Sequence, residues 1–206
     1  EIRLSLVGSE MCIRDRARGI LSRELRRKKG ITGGQVKQRF LGAVTHKGAM
    51  CLFDTALAQC SRVYELSDQY GLAHEMLIHL LAGASAGGWD VVACPDPMAP
   101  ERLAHLLVPE QGLAFLTSTP ALKLPEKPYR RIRLDAAADE NLLRRGRPRV
   151  RFAKKVSAAL VEEAVSSLAQ AKAMHDDLEA IYNPYVDFGR VEETARRVGD
   201  EILSLT

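Results

Sequence analysis

The stretch Arg62–Cys94, which reads RVYELSDQYGLAHEMLIHLLAGASAGGWDVVAC, decides the fold. Its first residues, Arg62–Leu66, are rich in β-formers and predict a strand. After a turn, Leu72–Ala86 predicts a helix, because its leucines recur at helical spacing and Gly87-Gly88 ends it. The apolar run Trp89–Cys94 then predicts a buried parallel strand. The order strand, helix, strand is typical of an α/β sheet with crossover helices.

Short apolar runs on both sides of this stretch extend the sheet. Ala49–Phe53 predicts an edge strand before it, and three prolines within residues 95–100 are expected to stop the strand after it. Leu103–Val108 and Leu113–Thr117 predict two further strands. The alternating run Arg130–Leu134 predicts the last strand, so the middle of the chain reads as one α/β core.

The C-terminal third follows a different pattern. From about Pro148 to Tyr182 no residue breaks a helix, and apolar side chains recur at intervals of three and four. Asn183-Pro184 ends this helix, and a second apolar stripe runs from Val191 to Leu205. The two segments predict a long helical hairpin that packs on the sheet or projects from it.

Composition excludes several classes of protein. Of the 206 residues, 46% are hydrophobic, which excludes general disorder, and no apolar run approaches the roughly 18 residues that span a bilayer. Lys and Arg number 30 against 26 Asp and Glu, which gives a formal net charge of +4. The four cysteines form no C-x-x-C motif, which favours reduced thiols in a cytoplasmic protein without a membrane partner.

The sequence divides into four predicted segments. Leu4–Arg16, LSLVGSEMCIRDR, is typical of a translated sequencing adapter, so residues 1–16 are predicted to be non-native. Residues 17–38 predict the basic end of a helix followed by a glycine-rich linker. Residues 39–147 are expected to form the α/β core, and residues 148–206 the helical hairpin.

The turn between the first strand and helix lies where nucleotide-binding proteins hold a phosphate. The signature G-x-x-x-x-G-K-[ST] supplies glycines for close backbone approach, a lysine for the outer phosphates and a hydroxyl for Mg²⁺. Here Asp68 and Ala73 stand at the two glycine positions. His74 stands at the lysine position and Glu75 at that of the hydroxyl residue. Within this run, Gly71 is the residue that favours an unusual turn.

These replacements predict a loop that binds phosphate poorly. Asp68 and Glu75 place negative charge where a phosphate would lie. Like charges ~4 Å apart cost about 4 kcal/mol at an effective dielectric near 20. His74 is expected to be mostly neutral at pH 7, so no fixed cation would neutralise a phosphoryl group. The alternative interpretation is an ordinary strand-to-helix turn without a ligand.

Five stretches of the chain carry a family resemblance. They read RFLGAVTHKG (39–48), RVYELSDQYGLAHEML (62–77), WDVVACPDPMAPERLAHLLVPEQGLAFLTSTP (89–120), YRRIRLDAAAD (129–139) and SLAQAKAMHDDLEAIYNPYVDF (167–188). On these stretches, the chain from about Arg39 to Leu203 resembles the second half of an uncharacterised bacterial family of duplicated P-loop ATPases (nucleoside-triphosphatases). The first half of such proteins carries an intact phosphate loop, and the second half often has a decayed one.

The resemblance implies a P-loop NTPase-like fold with an open, mostly parallel sheet. It implies as partner an intact N-terminal P-loop half of the same protein. The family's acidic residue for Mg²⁺ is expected near Thr117 or Ser118, and both are uncharged here. The chain is therefore predicted to be the degenerate, catalytically silent half, a regulatory or structural module. ATP and Mg²⁺ are expected only if the altered loop still binds nucleotide.

A dense basic run opens the predicted long helix and leaves other functions open. It comprises Arg144, Arg145, Arg147, Arg149, Arg151, Lys154 and Lys155. In a nucleotide-kinase-like phosphotransferase, the loop backbone around Gly71 would contact phosphates together with Arg144 and Arg147, and Asp96 would supply the carboxylate for metal. In an adaptor, the run would bind nucleic acid or an acidic protein partner. A third interpretation is a solvated helix start whose charges pair locally.

The remaining polar residues predict no catalytic group and no metal site. His175, Asp176 and Asp177 are adjacent in the long helix, and adjacent helical side chains point apart. Ser118 and Thr119 have no paired base in the sequence, so neither is predicted to be a nucleophile.

Overall fold

The computed structural model describes residues 7–30, 33–138 and 140–205, and within these ranges the chain forms an α/β core followed by two helices. The helices are α1 (Val7–Glu24), α2 (Phe53–Gln59), α3 (Ala73–Ala86), α4 (Glu140–Tyr182) and α5 (Phe188–Ser204). The strands are β1 (Val36–Gln38), β2 (Gly42–Thr45), β3 (Gly48–Cys51), β4 (Arg62–Ser67), β5 (Val91–Asp96), β6 (Ala99–Val108), β7 (Leu113–Ser118) and β8 (Arg130–Arg133). Residues 1–6 of the predicted non-native segment lie outside the described residues, and residues 7–16 form the first part of α1.

The central sheet is mostly parallel. Six of the described strands pair in the order β1-β5-β6-β7-β4-β8, and the pairs β1–β5, β7–β4 and β4–β8 are parallel. Among the described strands of this sheet, β6 alone runs in the opposite direction, because it forms a hairpin with β5 and pairs antiparallel with β7. The connection from β4 through α3 to β5 is the crossover that parallel strands require. The predicted α/β class with a mostly parallel sheet is confirmed.

Alternation along the central strands gives the sheet two apolar faces. In β4, Tyr64 and Leu66 are buried in the cluster that includes α1 and α3, whereas Val63 lies in the opposite cluster with α2. Phe115 and Leu116 divide between the two clusters in the same way in β7. Helices therefore cover both faces of the central strands, which explains why these strands read as nearly continuous apolar runs.

Helix α3 covers one face through the apolar side that the sequence predicts. Leu77, Leu80 and Ala84 are fully buried, and Leu81 packs half-buried against the same cluster. Just beyond the helix, Gly88 adopts a φ of 84°, which turns the chain towards β5. The predicted helix and its glycine stop are confirmed.

The β5–β6 hairpin differs from the sequence prediction. β5 continues to Asp96 and β6 already begins at Ala99, so the prolines do not stop the strand after Cys94. Register shifts on both sides of Pro95 accommodate this residue, which has no N–H to donate to a ladder. Asp96 Oδ1 accepts a hydrogen bond from the N–H of Met98 at 2.8 Å and closes the turn. The predicted parallel pairing is found with β1, whereas the pairing of β5 with β6 is antiparallel.

The predicted edge strand at residues 49–53 belongs to a separate hairpin. β3 pairs antiparallel with β2 in a two-stranded sheet, with Gly42 opposite Cys51. The strand ends at Cys51 because Phe53 begins α2 and is buried against the central sheet. The strand prediction is therefore right in type, whereas its place at an edge of the main sheet is wrong.

Helices α4 and α5 leave much of their apolar surface exposed. α4 begins at Glu140 rather than at the predicted Pro148, and its 43 residues give a length of about 64 Å. α5 follows after the 3₁₀ turn Asn183–Tyr185, and Asp187 caps it by accepting a hydrogen bond from the N–H of Arg190. The large apolar side chains that remain exposed on these helices include Leu160, Leu178, Val191, Val198 and Ile202.

Gly34 gives a direct test of the packing between the linker and the core. A Cβ atom at residue 34 would lie 1.9 Å from the carbonyl oxygen of Trp89, while the N–H of Gly34 donates to the carbonyl of Ser85 at 2.8 Å. Because backbone atoms cannot give way as a flexible side chain can, Gly34→Ala is expected to lower the free energy of unfolding by about 2–4 kcal/mol. Urea denaturation measures this loss.

Gly199→Ala in α5 is the matched control. A Cβ atom at residue 199 meets nothing within 4 Å. Alanine is the better helix former, so this substitution is expected to raise the free energy of unfolding by about 1 kcal/mol or less. An unchanged unfolding midpoint for Gly34→Ala would contradict the close approach of Gly34 to Trp89.

Candidate functional site

The candidate site is the loop 68–72, which joins β4 to α3. It lies at the carboxyl ends of the parallel strands β4, β7 and β8, where open α/β sheets bind ligands. Gly71 adopts a φ of 78°, which an L side chain rarely takes, and its carbonyl accepts a hydrogen bond from Arg102 Nη2 at 2.6 Å. The loop therefore has the strand-turn-helix setting that the sequence predicts.

The carboxylate of Asp68 occupies the centre of this loop. Asp68 is 4% exposed, and its Oδ1 accepts hydrogen bonds from the N–H groups of Tyr70 at 2.9 Å and Gly71 at 2.8 Å. Its Oδ2 accepts from the N–H of Ala73 at 2.7 Å, at the first residue of α3. Free N–H groups at a helix start are the donors that hold a phosphate in nucleotide-binding loops. Here an internal carboxylate takes one donor of the helix start, that of Ala73, and two donors of the loop before it.

A second carboxylate closes the loop from another part of the chain. The N–H of Gln69 donates to Asp135 Oδ1 at 2.9 Å, and Asp135 begins the 3₁₀ turn after β8. The donors of residues 69, 70, 71 and 73 are thus all bound by aspartates. Little hydrogen-bonding capacity remains in the loop backbone for an added anion.

His74, at the lysine position, is a hydrogen-bond acceptor in this structure. Its Nδ1 accepts from the N–H of Leu103 in β6 at 2.9 Å. Burial, together with the nearby Arg102 guanidinium, lowers the pKa of His74 below its ordinary value. The imidazole is therefore neutral at physiological pH and bound to backbone, so it supplies no cation to the loop. Glu75 lies in the first turn of α3 and makes no ion pair with the described residues.

The strand end expected to carry a metal-binding acid carries two hydroxyls. Thr117 Oγ1 donates to the carbonyl of Ala104 at 2.5 Å, and Ser118 Oγ donates to Glu65 Oε1 at 2.6 Å. Both hydroxyls are therefore engaged within the sheet. The carboxylate beside them is that of Glu65, one strand away.

Glu65 anchors a polar cluster that the sequence did not reveal. It is 5% exposed, and its Oε2 accepts from Arg131 Nε at 2.6 Å while Oε1 accepts from Ser118. The three residues line a cavity of about 390 Å³ that also includes Lys123. Because both carboxylate oxygens are bound, Glu65 is positioned as the counterion of Arg131 rather than as a free base or metal ligand. Its sequence signal is a charged residue within the apolar strand β4.

His105 lies on the same sheet face and is buried. Its Nδ1 accepts from the N–H of Thr117 at 3.0 Å, its Nε2 is 3.5 Å from Cys51 Sγ, and its ring meets Phe53 edge-on. Burial lowers the pKa of His105 to about 4 and raises the pKa of the Cys51 thiol to about 11. A neutral imidazole beside a neutral thiol is not an activated nucleophile.

Within the basic run on α4, Lys154 contacts the loop, whereas the predicted phosphate clamps were Arg144 and Arg147. Lys154 Nζ lies 5.0 Å from the ring centroid of Tyr70. Arg144 Nη2 donates to Asn141 Oδ1 at 3.2 Å within the same helix. Arg144 and Arg147 line a cavity of about 540 Å³ whose described lining comes entirely from α4. The described contacts thus place Lys154 at the loop.

The acidic residues considered for metal binding form helix-surface pairs. His175 and Asp176 come together with Glu179, one turn later, rather than with Asp177. His175 Nδ1 is 3.3 Å from Glu179 Oε1, and Asp176 pairs with Lys172. All of these side chains are substantially exposed, as ordinary i,i+4 pairs are.

Comparison with known proteins identifies no family for this chain. No protein-family model matches the chain, and neither the curated proteins nor the solved structures contain a significant match. No helix among the described residues combines the length and apolar character needed to cross a bilayer.

Asp68→Ala tests the role of the carboxylate in closing the loop. The substitution leaves three backbone N–H groups without their acceptor, so the free energy of unfolding is expected to fall by about 2 kcal/mol. Asp68→Asn keeps one acceptor oxygen and is expected to cost about half as much. Urea denaturation of both variants measures the effect.

Asp54→Ala provides the control, because Asp54 is an exposed acidic residue in the first turn of α2. Its loss is expected to change stability by about 0.5 kcal/mol or less. If Asp68→Ala were no more destabilising than Asp54→Ala, the loop donors would not depend on the Asp68 carboxylate.

The buried His105 makes stability depend on pH. Its pKa of about 4 in the folded chain lies below the ordinary value of 6.5, so the unfolded chain binds more protons between these pH values. Stability is therefore expected to be fully present above pH 6.5 and to fall towards pH 4, by up to about 3 kcal/mol. His105→Asn, which keeps an acceptor for Thr117, should flatten this dependence. An equally steep pH profile in that variant would contradict the assignment to His105.

Proposed function

We propose that this chain is the C-terminal, catalytically silent half of a duplicated P-loop ATPase-like protein. In this proposal it acts as a regulatory or structural module that packs against an intact N-terminal half of the same protein. The observation that carries the proposal is the Asp68 carboxylate, which accepts three loop N–H groups at the start of α3.

The position of Asp68 explains why the loop would be silent. A triphosphate bound there would have to displace a buried carboxylate from three hydrogen bonds or lie beside its charge. Two like charges ~4 Å apart cost about 4 kcal/mol at an effective dielectric near 20. Phosphoryl transfer depends almost entirely on positioning and charge neutralisation, so a loop that repels the phosphates does not catalyse it.

The neighbours of the loop support the same proposal. His74 is held as a neutral acceptor by the N–H of Leu103, so it does not replace the missing lysine. Ser118 and Thr117 are bound within the sheet, so neither is free to help hold Mg²⁺ as a strand-end carboxylate would. In this proposal, the residues at the expected phosphate, cation and metal positions make internal contacts instead of binding a nucleotide.

The exposed apolar residues of α4 and α5 support an interaction role. Val191, Val198 and Ile202 lie on one side of α5 and line an open cavity of about 850 Å³. An apolar surface of this kind is typical of a chain that associates with another folded body. The intact half that the resemblance implies is the partner that this proposal assigns to it.

The phosphotransferase alternative has weaker support. Its metal carboxylate, Asp96, is bound to the N–H of Met98 in the β5–β6 turn. Arg144 and Arg147 lie on one helix, without a facing element among the described residues that line their cavity. A clamp needs groups on both sides of the phosphates.

Calorimetric titration of the chain with Mg²⁺-ATP tests the silent-loop proposal. At about 0.2 M salt, where weak surface binding of anions is screened, we expect no binding at micromolar ligand and no phosphate release. Micromolar affinity or measurable turnover under these conditions would contradict the proposal. Asp68→Asn serves as the matched variant, because removing the loop's charge should permit more nucleotide binding than the unsubstituted chain shows.

A further inference from the structure

Five arginines line a cleft between α1 and the edge strand β8. The cleft has a volume of about 580 Å³, and its described lining contains no Asp or Glu. The arginines are Arg16, Arg23, Arg130, Arg131 and Arg133. Arg16 belongs to the segment predicted to be non-native, so the inference rests on the other four. A concave surface of one charge sign concentrates ligands of the opposite sign.

Two of these four guanidiniums have buried counterions behind them. Arg131 Nε donates to Glu65 at 2.6 Å, and Arg23 Nε lies 3.4 Å from Glu24 Oε1. The side chains of Glu65 and Glu24 are 7% and 4% exposed, so they do not face the cleft opening.

The other two guanidiniums are available to a ligand. Arg130 and Arg133 are exposed, and neither forms an ion pair with a carboxylate among the described residues. Guanidinium groups bind phosphate through paired N–H donors, so two free ones in a single cleft fit a ligand that carries more than one phosphate.

An exposed aromatic ring lies beside these cations. Tyr129 is 51% exposed, and the guanidinium of Arg130 lies 5.6 Å from its ring centroid. Tyr129 meets Tyr64 edge-on at 5.6 Å, and Tyr64 is fixed by donating its hydroxyl to Glu24 at 2.6 Å. Proteins that bind single-stranded nucleic acid combine such cations for the phosphates with such rings for the bases. The stacked bases of a duplex would leave Tyr129 without a partner.

We propose that the cleft between α1 and β8 binds single-stranded nucleic acid. Arg130 and Arg133 contact backbone phosphates, and Tyr129 stacks on a base at the end of the cleft. The site is distinct from the β4–α3 loop and from the basic run on α4. It does not depend on the silent-loop proposal, because the arginines of β8 and the residues of the loop can be substituted separately.

Fluorescence anisotropy of a labelled single strand of about 12 nucleotides tests the proposal on the full chain. At about 50 mM salt we expect micromolar affinity that weakens as salt rises. Replacing both Arg130→Ala and Arg133→Ala should weaken binding about tenfold or more and reduce the salt slope by about 1.4, the value for two phosphate contacts. Replacing both Arg149→Ala and Arg151→Ala removes the same charge from α4 and should change the affinity by about twofold or less.

Tyr129→Leu separates a nucleic-acid strand from free phosphate groups. The substitution should weaken oligonucleotide binding about tenfold and leave the binding of inorganic tripolyphosphate unchanged, while Tyr129→Phe keeps both. Circular dichroism verifies that each variant is folded.

The proposal is overturned by no binding at low salt, by tighter binding of a duplex of the same sequence, or by equal losses in the β8 and α4 variants. It is also overturned if the β8 variant binds normally, since its arginines would then only protect an edge strand. ATP binding that persists in the β8 variant would count against the silent-loop proposal alone.

Discussion

The hydrogen bonds of the Asp68 carboxylate set the geometry on which the rest of the site depends. The N–H groups at the start of a helix have no partner within the helix and need an acceptor from elsewhere. In a phosphate-binding loop the ligand supplies that acceptor, whereas here Asp68 accepts from the N–H of Ala73, the first residue of α3, and from those of Tyr70 and Gly71 in the loop before it, at 2.7–2.9 Å. The turn is therefore complete without a ligand. The same bonds occupy the N–H groups of Tyr70, Gly71 and Ala73, which are then not available to an added anion.

The β5–β6 hairpin connects this loop to the sheet. Because the hairpin continues past Pro95, the antiparallel strand β6 reaches the loop with Arg102 and Leu103. Arg102 binds the carbonyl of Gly71, and the N–H of Leu103 binds His74. A strand that ended at Cys94 would leave Gly71 and His74 without these partners. The antiparallel strand β6 thus holds both Gly71 and His74 in place.

Sequence reasoning succeeded where the signal is local. β4, α3 and the glycine stop follow from residue types within about 25 positions, and their bounds differ from the predictions by one residue. The direction of β6 was not predictable in this way, because pairing is decided by strands far apart in the chain. The same holds for the contacts of Asp135 with Gln69 and of Lys154 with Tyr70, which join segments separated by 66 and 84 positions. The loop was located from sequence, but the residues that close it were not.

The buried acidic side chains and the exposed arginines of β8 lie in different parts of the fold, and this separation links the two proposals. Glu24, Glu65 and Asp68 are buried and bind internal partners: arginines, hydroxyls and backbone N–H groups. These carboxylates are thus bound to groups of the same fold. The guanidiniums of Arg130 and Arg133, at the sheet edge, form no ion pair with a carboxylate among the described residues. At the β4–α3 loop the backbone donors already bind carboxylates, whereas at β8 two guanidiniums have no carboxylate partner among the described residues. Under the two proposals, anion binding is therefore absent from the backbone of the helix start and present on side chains at an exposed strand. Side chains along a strand edge can contact an extended polymer. A phosphate-binding loop at a helix start encloses a single terminal phosphate group instead.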